Sequence, residues 1–198
     1  MIQDIFKVPI YEVKLDLDTK NLEHFCKKHQ TNNPGRVISN VGGYQSNDLD
    51  LWANEPILSS LLNQIQIHSN KFAKEFINNN EQVLDNIWFN INLYKDFNNS
   101  HNHPLSNISG VYYVKTPDDC GNIVFEHPAI DVLSYYYSLT SLKEFNEYNS
   151  FTWWKPAIEN YLYLFPSWLK HYVQPNKNKT EERISISFNT NDIEILKE

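Results

Sequence analysis

The stretch HNHPLSNISGVYY, residues 101–113, places two histidines two positions apart directly before an apolar, β-prone run. Side chains two positions apart on an extended chain point to the same side. The imidazoles of His101 and His103 are therefore predicted to face one point at the edge of a core. A lone histidine is ordinarily a surface residue or a hydrogen-bonded core residue, and a pair at this spacing raises the expectation of a metal site only modestly.

More short β-prone segments lie on both sides of this stretch. NIWFNINLY, residues 86–94, alternates Trp88, Asn90 and Asn92 with apolar residues, as a two-faced strand does. Its two asparagines face either a ligand or water, and the alternation alone does not decide between these two environments. The remaining strands are predicted, in chain order, in SGVYYV, GNIVFEHP, YLYLFPSWLKHYV and RISISFN.

The N-terminal part carries helical patterns instead. After a strand predicted within residues 5–15, residues 18–30 are predicted to form a short helix, with Asp18 or Thr19 as its cap and lysines near its end. Apolar residues recur at helical spacing over residues 55–77, whereas residues 39–52 are predicted to be irregular. Helices followed by many short strands indicate an α+β, mainly β fold, built on an antiparallel sandwich or barrel.

We expect a single domain over residues 1–198, with a strand and helical support region at 1–85 and a β core at 86–198. An aromatic segment, residues 129–157, separates two groups of strands in that core. Long insertions in compact domains often form lids or binding loops. The segment is therefore predicted either to shape a substrate mouth or simply to cover the sheet.

Composition narrows the class of protein. Hydrophobic residues make up 41% of the chain, which suits a packed core, and the net charge of −7 argues against a general nucleic-acid or anionic-membrane surface. No uncharged apolar run is long enough for a transmembrane helix, and the N-terminus lacks the layout of a signal peptide. Cys26 and Cys120 lie in unrelated contexts, so we expect no disulfide framework and a cytoplasmic location.

RISISFN, residues 183–189, presents one cation and two hydroxyls on one face. Arg183, Ser185 and Ser187 alternate there with apolar residues. A guanidinium can hold a carboxylate through two N–H groups, and a serine adds a donor. This face is a candidate carboxylate receptor, although an ordinary strand whose polar side meets water has the same alternation.

A third histidine, His171 in LFPSWLKHYVQPN, completes a pattern that spans several segments. Together with HNHPLSNISGVYYV, GNIVFEHP, RISISFN and the upstream SNVGGYQS, it resembles the non-haem Fe(II)- and 2-oxoglutarate-dependent oxygenases. The resemblance is to a bacterial and phage branch related to the prolyl hydroxylases, and it covers residues 5–190. It implies a double-stranded β-helix, or jelly roll, with N-terminal helices packed on one sheet. Asn160 stands where that family usually has glycine, and asparagine tolerates a left-handed backbone.

The resemblance implies that Fe(II) is held by His101, His103 and His171. His103 stands where the wider superfamily has Asp or Glu, although His-x-His is common in this branch. Three neutral imidazoles also suit zinc. The native metal therefore stays open, as does ligation by a nearby acid such as Asp131 or Glu126.

The resemblance also implies a site for 2-oxoglutarate. Arg183, which follows His171 by 12 positions (183 − 171), would pair with the far carboxylate of this cosubstrate. Tyr113 stands where relatives place a tyrosine that bonds the same carboxylate, although a core tyrosine would fit the pattern equally well. The full set of candidate cosubstrate-binding residues is Arg183, Ser185, Ser187, Tyr113, Ser109 and Asn92.

The predicted function is that of a 2-oxoglutarate- and Fe(II)-dependent dioxygenase, a hydroxylase, with no catalytic residue beyond the metal ligands. Its partners would be O₂ and a small-molecule or peptide substrate, without nucleic acid or membrane, and related folds often form homodimers. It would act in the cytoplasm of a bacterium or of an infected host cell. The alternative is a metal-binding jelly roll without oxygenase activity, either a zinc hydrolase or a structural or binding module.

Overall fold

The structure, a computed structural model, describes residues 3, 5–50, 56–137 and 141–195. Within these ranges the helices are α1 (Thr19–Asn32), α2 (Pro56–Phe76) and α3 (Ile130–Tyr137). The strands are β1 (Tyr11–Lys14), β2 (Asn40–Val41), β3 (Tyr44–Gln45), β4 (Gln82–Asn92), β5 (Phe97–His101), β6 (Ile108–Lys115), β7 (Ile123–Glu126), β8 (Thr152–Lys155), β9 (Tyr161–Pro166), β10 (His171–Val173) and β11 (Arg183–Asp192).

The strands form two antiparallel sheets. The six-stranded sheet has the order β1-β9-β6-β11-β4-β3, and the five-stranded sheet has the order β2-β5-β10-β7-β8. Successive strands of the chain repeatedly change sheet, so most neighbours within a sheet are distant in sequence. Two such interleaved antiparallel sheets make a jelly roll, which is the fold class that the sequence predicts.

Helices α1 and α2 pack on one face of the six-stranded sheet. Leu22 of α1 and Leu61 and Ile65 of α2 are fully buried in one cluster with Ile184 and Ile186 of β11. Burying an aliphatic side chain of this size contributes about 1.5–3 kcal/mol. This apolar layer holds the helices on the sheet and leaves the sheet's other face for the site.

The other face of the six-stranded sheet looks toward the five-stranded sheet. Because Ile184 and Ile186 point to the helices, their neighbours Ser185 and Ser187 point the opposite way. Both serines line a cavity that also touches the five-stranded sheet. The alternation predicted for RISISFN is confirmed, and its polar side faces the protein interior.

The chain crosses from the five-stranded to the six-stranded sheet at Gly42 and Gly43. β2 pairs with β5 and β3 pairs with β4, and the two glycines have φ values of +69° and +62°. A Cβ on Gly42 would lie 2.0 Å from Oδ1 of Asp96, so only glycine fits. The irregular structure predicted for 39–52 is wrong for Asn40–Gln45, whose strands are too short to show a period; residues 51 and 52 lie outside the described ranges.

The predicted helices are confirmed with small shifts at their ends. α1 begins after Asp18, whose side chain accepts a hydrogen bond from the Asn21 amide at 3.1 Å and so caps the helix. The helix predicted over 55–77 is α2, and residue 55 lies outside the described ranges. The strand predicted within 5–15 begins only at Tyr11, beyond Pro9.

The aromatic segment 129–157 contributes helix α3 and the edge strand β8, with residues 138–140 outside the described ranges. Trp153 and Trp154 of β8 are about half exposed. Its role at a substrate mouth stays a prediction. Asn160, just before β9, adopts a φ of +67°, so the left-handed turn expected there is confirmed.

None of the helices in the described part of the chain has an apolar stretch long enough to cross a bilayer.

Candidate metal and cosubstrate site

Two histidines meet across neighbouring strands of the five-stranded sheet. His171 of β10 lies directly opposite His101 of β5, and their ring centroids are 4.5 Å apart. In each ring Nδ1 lies at hydrogen-bonding distance from a backbone carbonyl two residues earlier, 2.7 Å from the oxygen of Asn99 and 2.9 Å from that of Leu169. A carbonyl only accepts, so each Nδ1 carries the proton and each Nε2 keeps a free lone pair.

His103 lies two residues beyond the end of β5 and joins this pair. Its backbone N–H donates to the Ser167 carbonyl at 3.0 Å, and its ring stacks on His171 with centroids 5.2 Å apart and an interplanar angle of 23°. One ligand atom from each of His101, His103 and His171 lies within 4.8 Å of the other two. In the described ranges this is the one cluster of three or more His, Cys, Asp or Glu side chains that could hold a metal.

The three imidazoles are held in the form that binds a metal. Burial, with His101 adding repulsion, lowers the pKa of His103 to about 4 and the pKa of His171 well below its ordinary value. Burial also lowers the pKa of His101. All three rings are therefore neutral near pH 7, and a neutral nitrogen donor set suits a divalent transition metal. Neither Asp131 nor Glu126 belongs to the cluster.

A narrow cavity of about 40 Å³ separates the three histidines from the six-stranded sheet. Asn90 of β4, Ser185 of β11 and Tyr113 of β6 form one row across three paired strands, and all three line the cavity together with Ser187. The buried Oδ1 of Asn90 has no hydrogen-bond partner. The three histidines thus face a polar wall built from the strands that the sequence singled out.

Arg183 lies one step along the same sheet face, opposite Asn92. It is 1% exposed, and its Nη atoms donate to neutral oxygens: the carbonyls of Cys120 and Gln174 and, at 3.0 Å, Oδ1 of Asn92. Within the described ranges it forms no ion pair, and burial lowers its pKa. Two buried donors, Arg183 Nε and Asn92 Nδ2, have no partner.

This arrangement fits the carboxylate of a small diacid. A buried cation without an anion is unfavourable unless a ligand completes it, and two unpartnered N–H donors are what a carboxylate would satisfy. The Tyr113 hydroxyl lies in the field of Arg183, although burial dominates and raises the pKa of Tyr113 above its ordinary value. The donor set therefore fits the group that the resemblance implies.

Ser109 lies on the same sheet face, but it belongs to a separate polar network and does not line the cavity. Its hydroxyl lies 2.8 Å from the Ser167 hydroxyl and donates to Oδ1 of Asn189 at 2.7 Å, and Asn189 in turn donates to Asn86 at 2.9 Å. This network joins β6 to the turn whose carbonyl holds the His103 backbone.

Sequence reasoning missed other residues of the cavity wall. Trp88 lines the cavity beside His103, and its alternation with Asn90 was a signal that could have found it. Ser39 and Asn98 also line the cavity and are joined by a 3.1 Å hydrogen bond. They come from separate short segments without a periodic pattern, so no signal marked them.

A jelly roll with three histidines and a buried arginine between its sheets has the architecture of a non-haem, 2-oxo-acid-dependent oxygenase. A sequence model of the family described as "Putative 2OG-Fe(II) oxygenase" matches residues 86–189, and the chain belongs to this family. It is thus an oxidoreductase that uses Fe(II) and 2-oxoglutarate as well as O₂ and a substrate. No curated protein matches the chain.

Solved structures support the fold. The chain is similar to a prolyl-4-hydroxylase from Pseudomonas putida, with 14% identity, 93% of each chain covered and a TM-score of 0.64. It is also similar to a viral collagen prolyl hydroxylase from Paramecium bursaria Chlorella virus-1 in complex with 2-oxoglutarate, with 9% identity, 91% and 94% of the two chains covered and a TM-score of 0.61.

A third similar structure is a prolyl hydroxylase from Trichoplax adhaerens in complex with a peptide fragment of the hypoxia-inducible factor. It has 13% identity, with 93% of this chain and 84% of that one covered, and a TM-score of 0.61. At these identities the likeness concerns the fold, and the predicted jelly roll with helices on one sheet is confirmed.

Proposed function

We propose that His101, His103 and His171 bind the Fe(II) of this oxygenase and that Arg183 binds the far carboxylate of 2-oxoglutarate. The observation that carries the proposal is the convergence of three neutral imidazoles, with ligand atoms within 4.8 Å of one another, together with a buried arginine that forms no ion pair among the described residues, although Asp96 acts on it electrostatically. When bound, iron and 2-oxoglutarate supply the oxidising chemistry, in which 2-oxoglutarate, O₂ and a C–H group become succinate, CO₂ and C–OH.

The protein's own residues have three tasks in this proposal. The carbonyls of Asn99 and Leu169 fix the orientation of His101 and His171, so that their Nε2 atoms are presented together. Three histidines without a carboxylate contribute no negative charge, so a bound 2-oxoglutarate dianion would neutralise a divalent ion held by them.

The second task is to orient the cosubstrate, which falls to Arg183 together with Asn92, Ser185 and Ser187. Tyr113, a buried residue of the cavity wall that lies in the electrostatic field of Arg183, contributes a hydroxyl. The third task is to exclude water, and the narrowness of the cavity between the two sheets supports it. We assign Ser109 to the support of these residues through its bonds to Ser167 and Asn189.

We further propose hydroxylation of a peptide or a small molecule, in the cytoplasm of a bacterium or an infected host cell. Both cysteines, Cys26 and Cys120, are free thiols, which supports a reducing compartment. The net charge of −7 speaks against nucleic acid as a partner. The single domain over residues 1–198 and a homodimer stay predictions, and light scattering after gel filtration measures the latter.

The experiment is turnover of 2-oxoglutarate without added substrate. Purified protein with Fe(II) in air should form succinate slowly, since this family couples the cosubstrate to O₂ at the metal, and His171→Ala should form none. The alternative, a metal-binding jelly roll without oxygenase activity, predicts tight zinc binding and no succinate at any Fe(II) concentration. The absence of succinate, with folded and iron-loaded protein, would contradict the proposal.

A further inference from the structure

The three metal-binding histidines are not held in the same way. His101 and His171 each have Nδ1 at hydrogen-bonding distance from a carbonyl two residues earlier in their own strand or turn. Within the described part of the chain, neither ring nitrogen of His103 has a hydrogen bond, and only its backbone N–H is fixed, to Ser167. The orientation of the His103 ring therefore depends on what packs against it.

His101 and His171 contact the ring from the five-stranded sheet, and Trp88 packs against it from the six-stranded sheet. The indole ring centroid lies 5.6 Å from that of His103, with the ring planes at 41°. Trp88 is 8% exposed, and its position on β4 is fixed by the pairing with Ser187 of β11. A large rigid side chain on a central strand can define where a neighbouring imidazole lies without any hydrogen bond.

Arg36 lies against the same indole. Its guanidinium carbon is 5.9 Å from the centre of the Trp88 ring, within the range of a cation–π contact. The arginine is itself fixed, because its Nη2 pairs with Asp48 at 2.6 Å and its backbone N–H donates to Gln45 at 2.8 Å. A chain of contacts thus runs from an ion pair on the N-terminal segment through Trp88 to the third metal ligand.

We propose that Trp88 is the positioning residue for His103, and that the Arg36–Asp48 pair in turn holds Trp88. The inference rests on the proposed metal centre. Residues that orient a metal ligand typically contribute 10–100-fold in metal affinity when they do so by hydrogen bonds, and here packing takes that role. Loss of the indole should free the His103 ring while leaving His101 and His171 in place.

The test is a double-mutant cycle read out by the affinity for Co(II), a redox-stable probe for this site. Trp88→Ala should weaken Co(II) binding by about tenfold, and Trp88→Phe, which keeps an aromatic face, by less. His103→Ala should weaken binding at least as much. In the His103→Ala background, removal of Trp88 should change the affinity less than twofold, because the indole acts through His103 alone.

Trp154→Ala is the matched control. It removes a side chain of the same type from β8, where Trp154 is about half exposed and has no ring contact with a histidine among the described residues. It should leave Co(II) affinity unchanged. Thermal melts of the metal-free proteins distinguish a general loss of structure from a loss of affinity that is confined to the metal site.

Two results would overturn the inference alone: wild-type affinity in folded Trp88→Ala, or a full additive loss in the double variant. If Trp88→Ala does not fold, the cycle is run with Arg36→Gln and His103→Ala, and an additive or absent effect again overturns it. If His103→Ala itself binds Co(II) like wild type, the three-histidine centre fails, and this inference fails with it.

Discussion

His171 of β10 and His101 of β5 are direct partners in the antiparallel register of the five-stranded sheet, with ring centroids 4.5 Å apart. The proposed metal centre is therefore built on strand pairing and not on a flexible loop. Strand register sets the distance between these two ligands, and the local carbonyl bonds set the direction of their rings. The third proposed ligand, His103, packs against both of these rings and also against Trp88 of the other sheet.

Removal of a paired ligand should abolish metal binding with little effect elsewhere. We expect His101→Ala and His171→Ala each to weaken Co(II) or Fe(II) binding by more than about 100-fold, since a lost ligand costs more than a lost orienting group. Isothermal titration of metal into metal-free protein measures this. His24→Ala, on the exposed side of α1, is the control and should bind like wild type.

An internal anion should compete with the cosubstrate for Arg183. Asn92→Asp keeps the oxygen that lies 3.0 Å from Nη2 of Arg183 but makes it a charged acceptor, so the guanidinium is neutralised from within. We expect 2-oxoglutarate to bind at least about tenfold more weakly, with an unchanged or raised melting temperature, in titrations of the Fe(II) protein.

The matched control is Asn191→Asp, which changes another buried asparagine near the far end of β11. It should leave 2-oxoglutarate affinity as in wild type. Equal weakening in both variants would mean that any buried charge disturbs the fold, and Arg183 would lose its assigned role.

The close packing of β6 gives a prediction on stability. A Cβ on Gly110 would lie 2.3 Å from Cζ of Phe188 and 2.8 Å from Cδ2 of Leu164. Both neighbours belong to the buried core, so overpacking in Gly110→Ala should lower the free energy of unfolding by about 1–3 kcal/mol. Urea denaturation measures it, and a variant as stable as wild type would show that the Phe188 ring moves aside freely.

Stability of the metal-free protein should fall in mild acid. The pKa of His103 is lowered to about 4 in the folded state by burial and by His101, whereas an unfolded histidine has a pKa of about 6.5. Between these two pH values the unfolded chain binds more protons than the folded chain. The contribution of His103 to the free energy of unfolding is therefore complete above pH 6.5 and is lost as the pH falls toward 4. His171, whose pKa is lowered in the same direction, adds to the effect.

Urea denaturation at pH 7.5 and pH 5 tests this, with His103→Gln as the comparison. The loss of stability between the two pH values should be smaller in the variant, by up to about 1.4 kcal/mol per pH unit. The same loss in both proteins would mean that the His103 ring titrates as an ordinary, solvated imidazole.

Much of the fold was predictable because the alternation in β4 and β11 has a physical cause. Trp88, Asn90 and Asn92 share one face for the same reason as Arg183 and Ser185: their apolar neighbours pack against α1 and α2. The pairing of these two strands was not predictable, since register between segments 90 residues apart leaves no local signal. The two-residue strands around Gly42 were missed because they are too short to show a period.

At the site, the proposed ligand set came from spacing and resemblance, whereas part of the cavity wall did not. Ser39 and Asn98 of the wall, and Arg36 against Trp88, come from the N-terminal segment or from β5, and nothing in their sequence neighbours marks them. Ser109 was selected because it shares a face with Tyr113, yet its hydroxyl bonds to Ser167 and Asn189. A shared strand face predicts the direction of a side chain, but the partner that the side chain meets depends on the neighbouring strands and turns.

The most direct test is anaerobic titration of the Fe(II)-loaded protein with 2-oxoglutarate, followed by visible absorption. We predict a weak metal-to-ligand charge-transfer band that saturates in wild type, is absent in His171→Ala, and needs far more 2-oxoglutarate in Arg183→Ala. No band in folded wild-type protein with one equivalent of iron bound would contradict the assignment of the three histidines and Arg183 to one oxygenase centre.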